Sequence, residues 1–369
     1  MAVAMLLATV TFAQGYPQKT LGAKTDKWVK VASKYNDSFF TTDEARRIGD
    51  NVLLYQQTTG GWPKNVKMQE PLDSAEKAAV AGEKTNVNES TIDNGATTTE
   101  IIYLARLYNA TKERKYLDAF MDGMGYLFRS QYDNGGWPQF WPRPKGYYTH
   151  ITYNDDAIYH VMTLLHDVLT GKSVFKGDLV TDEERSRVQT AYDKGIRCIL
   201  DTQIRVDGRL TIWCQQHDFE TLQPVLARSY ELPAFGPIES ANLMRLLFDL
   251  PEPDDEVIAA LQGAMLWMDQ HKIVGQRYVR IKKSEGGGSH LEADPEALPL
   301  WARYYSLQDG QPFFCGRDGV PYRSMSEIEP ERRDGYSWYG SQPYKLYKKY
   351  KRWTTKYNVT PVIPFEGIE

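Results

Sequence analysis

Gln56-Gln57-Thr58-Thr59-Gly60-Gly61-Trp62-Pro63 follows one amphipathic run, and Gln131-Tyr132-Asp133-Asn134-Gly135-Gly136-Trp137-Pro138 follows another. In each copy a Gln leaves the helical pattern and a Gly-Gly-Trp-Pro turn ends it. A weaker third copy reads Cys198-Ile199-Leu200-Asp201-Thr202-Gln203, with Asp207-Gly208 and Trp213 at similar offsets. The interval is roughly seventy residues, about two helices per repeat. Helix pairs repeated in this way, with Gly/Trp loops at one end, predict helical hairpins wound into a toroid. An open bundle that reuses one turn by chance is the competing arrangement. Three occurrences after similarly placed helices argue against it.

Start and stop signals fill in the repeats. Thr41-Thr42-Asp43-Glu44 reads as a capping box with Thr41 as N-cap, opening a helix to about Gln56. Residues 66–90 are rich in Lys, Glu and Asn and predict an exposed, partly mobile loop. Helices are expected from about Ala96, from about Glu113 to Ser130, from Ala157, and after a second capping box, Thr181-Asp182-Glu183-Glu184. Pro237 suits the first position of a further helix, and another runs from about Asp254 to His271. Val274 to Lys283 alternates like a strand. Leu300 to Leu307 reads as helix, Phe313 to Gly319 as a hairpin turn, and the basic, aromatic Tyr344 to Lys351 as a last surface helix.

The chain has 369 residues, 41% hydrophobic and 25% charged, the balance of a water-soluble protein with a large core. No Pro/Ser-rich linker divides it, so residues 15–369 are expected to form a single domain. A net charge of -4 argues against general nucleic-acid binding but not against a polyanion met by local cations. Residues 1–14 are apolar and end in small residues, resembling a secretory signal without its basic start. The run is too short to span a bilayer. A secreted or periplasmic monomer is the expectation. Cys198, Cys214 and Cys315 match no zinc or redox spacing; a Cys198–Cys214 bridge and free buried thiols are both open. The 24 Tyr and 9 Trp, many in Gly/Pro loops, suit stacking on sugar faces as well as packing at helix ends.

Two stretches carry candidate chemistry. Thr91-Ile92-Asp93-Asn94-Gly95-Ala96-Thr97 and Tyr153-Asn154-Asp155-Asp156-Ala157 each set Asp beside Asn at the mouth of a helix. Either pair alone reads as helix capping. Two such pairs on one rim also read as a hard-cation site made of Asp93, Asn94 and Asp155, because Ca²⁺ takes oxygen ligands in irregular geometry. Asp156 then caps its helix or stands in an outer shell. Asp93 with Asp155 can alternatively be the acid and base of a glycosidase. Ala227-Arg228-Ser229-Tyr230-Glu231 offers an arginine that either pairs with Glu231 or touches substrate. Lys64, Arg303 and Arg317 are carboxylate binders or solvated cations. The six histidines make no metal-binding group.

Gly60-Gly61-Trp62-Pro63-Lys64-Asn65, Thr91 to Thr97, Asn154 to Ala157 and Ala227 to Glu231, in that order, resemble polysaccharide lyase family ten, the helical pectate lyases. The resemblance runs from about Asp43 to Tyr339. It implies a mainly helical (α/α)₃ toroid with short strands and long loops, and Ca²⁺-dependent β-elimination of polygalacturonate. It assigns the Ca²⁺ ligands to Asp93, Asn94 and Asp155, the base to Arg228, and substrate-carboxylate binding to Lys64, Arg303 and Arg317. A glycoside hydrolase on a similar toroid and a non-catalytic pectin-binding protein are the alternatives.

Overall fold

The repeating Gln proves to be structural. The structure, a computed structural model, describes residues 16–20, 27–143, 145–177 and 179–365; the apolar stretch 1–14 lies outside the described residues. The helices are α1 (Trp28–Ala32), α2 (Asp43–Tyr55), α3 (Ser74–Gly82), α4 (Thr98–Thr111), α5 (Arg114–Ser130), α6 (Ala157–Leu169), α7 (Asp182–Asp201), α8 (Pro237–Phe248), α9 (Asp255–Gln270), α10 (Pro330–Gly335) and α11 (Tyr344–Tyr357). Strands among the described residues are short and pair two by two, all antiparallel. None of the described helices is long and apolar enough to cross a membrane. The chain divides into two compact units: one takes the chain up to Thr91 together with Ala96–Leu127, the other Ile92–Gly95 and the chain from Phe128 onward.

In the first unit α2 packs on α4. Its N-cap is Thr42, whose hydroxyl accepts from Ala45 N at 3.2 Å. The expected cap, Thr41, instead ends the preceding 3₁₀ turn and donates to Ser38 O. The buried face of α2 carries Ala45, Ile48, Gly49, Val52 and Tyr55. Gly49 is required there: a Cβ would stand 2.2 Å from Leu107 Cδ2 of α4. The stretch 66–90 is not one loop. Asp73 and Glu76 form a reciprocal capping box that starts α3, and two 3₁₀ turns follow. The box was present in the sequence but hidden in a polar run with little apolar periodicity.

In the second unit α6 packs on α7, and α8 packs on α6, α9 and α11. Here Gln131 Nε2 donates to Gly135 O (3.0 Å) and Ala191 O (2.9 Å), while Gln203 Nε2 donates to Thr211 O (2.7 Å) and Ala260 O (2.9 Å). Within the first unit Gln56 Nε2 does the same with Gly60 O and Ala119 O, both at 2.9 Å. One side chain thus satisfies carbonyls of its own turn and of another helix, which buried polar groups need. The Trp repeats as well. Trp62 Nε1 donates to Val52 O (2.8 Å) and Trp213 Nε1 to Ile199 O (2.6 Å), each closing the end of the helix before it.

Trp301 makes the same bond to Met268 O at 2.9 Å, a further copy at the end of α9. The helix expected at Leu300–Leu307 is absent. Trp301–Ala302 pairs with Tyr339–Gly340, and Tyr305–Ser306 pairs with Ala234–Phe235. The apolar spacing there fits a helix equally well, but partners far along the chain hold it extended. The hairpin expected near Phe313 forms, pairing Phe314–Cys315 with Pro321–Tyr322. The three cysteines are free and buried, and burial pushes the Cys198 thiol up to about 12 and the Cys315 thiol up to about 11.

Candidate active site

Two 3₁₀ turns of the second unit, Asp93–Gly95 and Asn154–Asp156, pack against one another. Asn94 (φ 54°), Asp155 (φ 51°) and Asp156 (φ 60°) all lie in the left-handed region. Such conformations cost about 1–3 kcal/mol each and persist where surroundings over-determine them, often at functional sites. Asn and Asp tolerate them best, because short polar side chains bond locally. Asp93 is buried, Asn94 half-buried and Asp155 exposed. Asn154 Nδ2 donates to Asp155 Oδ2 at 2.9 Å. Asp156 occupies the N-cap position of α6 but makes no capping bond; its Oδ1 accepts from Asn242 Nδ2 at 2.7 Å. Capping therefore does not account for Asp156.

Asp93, Asn94 and Asp155 offer two carboxylates and an amide oxygen, with no nitrogen or sulfur donor. That set fits a hard divalent cation that keeps water or substrate oxygens in the rest of its shell. No group of three His, Cys, Asp or Glu side chains suited to a metal occurs among the described residues.

Behind these turns lies an ion pair that sequence reading only half anticipated. Arg303 Nη2 donates to Glu239 Oε1 at 2.7 Å and to Asn154 Oδ1 at 3.4 Å. Glu239 stands in the first turn of α8, and its side chain is 4% exposed, against 12% for Arg303. Gln215 Nε2 donates to the same Oε1, and the backbone carbonyl of Gln215 accepts from Tyr153 N and Asn154 N. Burial pushes the Glu239 carboxyl up, with Arg303 opposing. Burial likewise acts against the charge of Arg303, but Glu239 outweighs it and holds the guanidinium protonated. An acid such as Glu239 in the first turn of a helix is ordinary, because the helix dipole favours it. Only its burial distinguishes it.

Arg228 is the partly exposed counterpart. Its Nε donates to Glu231 Oε2 at 2.9 Å, its Nη1 to Tyr230 Oη at 3.3 Å, and its Nη2 has no partner among the described residues. The Arg228 side chain is 46% exposed and that of Glu231 6%. Burial lowers the guanidinium's affinity for its proton, but the Glu231 carboxylate reverses this, and the net direction is up. Arg317 is also exposed and forks onto Glu331 at 2.9 and 3.0 Å.

A ladder of arginines and tyrosines joins these groups. Arg228, Arg317 and Arg332 lie 5.5, 4.5 and 4.8 Å from the centre of the Tyr230 ring. Arg332 and Arg303 lie 4.1 and 4.7 Å from the centre of the Tyr336 ring. Tyr336 Oη meets Tyr304 Oη at 2.9 Å, and Tyr304 Oη donates to Gln215 Oε1 at 2.9 Å. Arg332 is buried, has no carboxylate partner among the described residues, and leaves Nη2 without a hydrogen bond. Three aromatic faces solvate it instead, a use of cation–π attraction that strengthens on desolvation. Each rung spans one contact, so Asp155, Arg303, Arg228 and Arg317 share one region of the second unit. Lys64 belongs to the first unit, where it is half-buried. Arg332 and Tyr336 carried no signal in sequence, and Tyr230 stood out only as a neighbour of Arg228, because nothing there separates a ring under a guanidinium from a loop aromatic.

The profile of the family described as pectic acid lyase matches residues 56–347. No curated protein matches the chain significantly. Solved structures do match it. One is the family 10 polysaccharide lyase from Cellvibrio cellulosa, at 30% identity and a TM-score of 0.71 over 90% of this chain and 96% of that one. Another is a mutant of a family 10 polysaccharide lyase from Cellvibrio cellulosa in complex with trigalacturonic acid, at 30% identity and a TM-score of 0.71 over 89% and 95%. The expected fold class, a mainly helical (α/α) toroid with short strands, stands on this match.

Proposed function

Because the chain belongs to the pectic acid lyase family and is a polysaccharide lyase, we propose that it cleaves α-1,4-linked polygalacturonate by β-elimination, with Arg228 as base and Ca²⁺ held by Asp93, Asn94 and Asp155. The C5 proton of a galacturonate lies α to the C6 carboxylate. Its removal forms a C4–C5 double bond and expels the C4 oxygen, which takes up a proton. The cation, when bound, offsets the carboxylate's charge and favours the enolate-like electron distribution.

The chain's own side chains divide the remaining work. Asp93 and Asp155 bring the negative charge that recruits the cation, and Asn94 adds a neutral oxygen. Arg228 is tethered through Nε by Glu231 and through Nη1 by Tyr230, which leaves Nη2 as the nitrogen for substrate. It takes the C5 proton through the small neutral fraction of its guanidine, so alkaline conditions favour it. Arg317 binds a neighbouring carboxylate beside it, sharing the Tyr230 ring. Arg303 presents a narrow exposed edge to the same chain. The likeness to a lyase seen with trigalacturonic acid supports this substrate class.

The observation that carries the reading is the packing of the Asp93–Gly95 turn on the Asn154–Asp156 turn. Incubation with polygalacturonate should produce an ultraviolet-absorbing unsaturated uronide, and a calcium chelator should abolish it. New reducing ends without that absorbance would mean hydrolysis and would overturn the proposal; chelator-resistant elimination would remove the cation from it. We place the enzyme's action outside the cytoplasm, with residues 1–14 as the export signal. Retention of a full-length expressed chain in the cytoplasm would contradict that.

A further inference from the structure

The last helix carries a charge pattern that the site does not use. α11 reads Tyr-Lys-Leu-Tyr-Lys-Lys-Tyr-Lys-Arg-Trp-Thr-Thr-Lys-Tyr over Tyr344–Tyr357, with six cations and no acid. It belongs to a chain whose net charge is -4. Leu346, Tyr347, Tyr350, Trp353 and Thr354 are buried, with Tyr350 and Trp353 against Phe248 of α8. The opposite face is exposed and carries Lys345, Lys348, Arg352 and Lys356. Their spacing of three, four and four residues stacks them in a single stripe. At a rise of 1.5 Å per residue the stripe is about 16 Å long.

A solvated face is the plain explanation, and it fits poorly. Helices made soluble by charge commonly alternate signs, because an acid four residues before a Lys is favourable and a like charge there is not. Here Lys348 with Arg352, and Arg352 with Lys356, are like pairs at that spacing, and Lys345 sits in the first turn, where the helix dipole disfavours a cation. Among the described residues, Asp249 pairs with Lys349 on the flank of α11 at 2.6 Å, and Asp269 takes Lys272 Nζ and Tyr347 Oη. The stripe is also placed along a direction. α11 starts just after Tyr339–Gly340, whose partner strand Trp301–Ala302 leads into Arg303. It ends where Tyr357 Oη donates to Leu250 O and Pro251 O, beyond the end of α8 opposite Glu239.

We propose that the Lys345–Lys348–Arg352–Lys356 face of α11 is a docking surface for polygalacturonate outside the reacting site, holding a further stretch of the same polyanion. This rests on the substrate class of the proposed function. The stripe exposes no large apolar side chain to enter a bilayer, and the ring beside it, Tyr357, is half-buried and already held by Lys356 Nζ, so a row of carboxylates is the partner that fits. Attraction of this kind releases counterions and weakens with salt.

The test combines Lys345→Gln, Lys348→Gln, Arg352→Gln and Lys356→Gln in one full-length variant, with thermal unfolding as the check on folding. On trigalacturonate, too short to reach both places, kcat/KM should match the parent protein. On long polygalacturonate at low salt KM should rise about tenfold, the sum of several rim-type ion pairs. The gap should close when salt reduces the Debye length to about 3 Å. A companion variant that keeps each charge, by Lys→Arg and Arg→Lys, should behave as the parent. Equal loss on trimer and polymer, or no loss on polymer, overturns the docking surface. If the parent cleaves neither substrate, the lyase reading fails instead. Retardation of parent and variant in a polygalacturonate-loaded gel then still decides the surface. Equal retardation of the parent by DNA, or equal binding to phosphatidylglycerol vesicles, would replace the polysaccharide by a general polyanion and overturn the assignment.

Discussion

Arg303 and Arg228 are both tied to a buried glutamate, yet they serve different ends. Arg303 is nearly enclosed, and its Nη2 is spent on Glu239 and on Asn154 of the Asn154–Asp156 turn. Arg228 gives only its Nε to Glu231 and keeps about half of its side chain in solvent. The first pair is a strut that holds the Asn154–Asp156 turn. The second is a tether that leaves Nη2 of the guanidinium without a partner among the described residues. In both, the carboxylate holds the proton on the arginine. For a strut that is an advantage, since a buried cation without a partner is costly. For the base proposed at Arg228 it is an obstacle, and the sign of that obstacle can be measured.

The largest effect should come from Arg228 itself. Arg228→Lys keeps a cation but loses the planar fork and its distributed charge. Turnover on polygalacturonate should fall about 10²- to 10⁴-fold, the range for loss of a general base, with thermal stability nearly unchanged because the Arg228 side chain is half-exposed and lysine keeps a cation beside Glu231. Turnover of Arg228→Ala within a few-fold of the parent would remove Arg228 from the chemistry and leave it as a loop ion pair.

Glu239→Ala probes the strut, and the readout is stability first. It strands Arg303 in a buried site, a defect worth about 3–5 kcal/mol in urea unfolding. Glu239→Gln keeps an oxygen for Nη2 and should lose less. Replacing both partners together, Glu239→Leu with Arg303→Met, should recover most of the stability, because buried pairs are often near neutral against apolar substitutes. It should not recover turnover if Arg303 holds the Asn154 turn for its work. Recovery of both would reduce the pair to packing.

Helices α2, α4 to α9 and α11 and the two Asp turns were legible in sequence because local signals specify them, whereas α3 was not. Thr181 with Glu184, Pro237 ahead of α8 and the Gln/Gly-Gly-Trp-Pro recurrence are all short-range patterns with a physical cause. The strands at Trp301–Ala302 and Tyr305–Ser306 were not, since Tyr339–Gly340 and Ala234–Phe235 decide them from elsewhere in the chain. The site divides in the same way. Asp93, Asn94, Asp155 and Arg228 stand in recognisable short motifs. Glu239, Arg332 and Tyr336 matter through burial and ring contacts, which no single stretch records. Glu231 was visible beside Arg228 but its effect on the guanidinium was not, because that effect depends on how little water reaches the pair.

Glu231→Gln converts the tether from a charge into a neutral acceptor, and the pH profile reads the difference. Glu231 raises the affinity of Arg228 for its proton. Without that negative charge the neutral guanidine becomes more abundant at any given pH. The rising limb of the rate profile should therefore move to lower pH, while the amide oxygen of the substituted side chain still accepts from Nε. A limb that stays in place would mean that another group titrates, and a move to higher pH would contradict the base assignment outright.

Arg317→Gln is the mildest change and the sharpest control on the comparison. Arg317 shares the Tyr230 ring with Arg228, but its own partner, Glu331, is exposed. Exposed pairs contribute about 0–1 kcal/mol, so unfolding should hardly shift. If Arg317 binds a substrate carboxylate and takes no proton, KM should rise a few-fold while kcat and the pH limb stay put. That split separates charge that binds from charge that reacts on a single tyrosine face. A fall in kcat equal to that of Arg228→Lys would mean the ring and its three guanidiniums act as one unit, and that the tether on Arg228 is not what sets it apart.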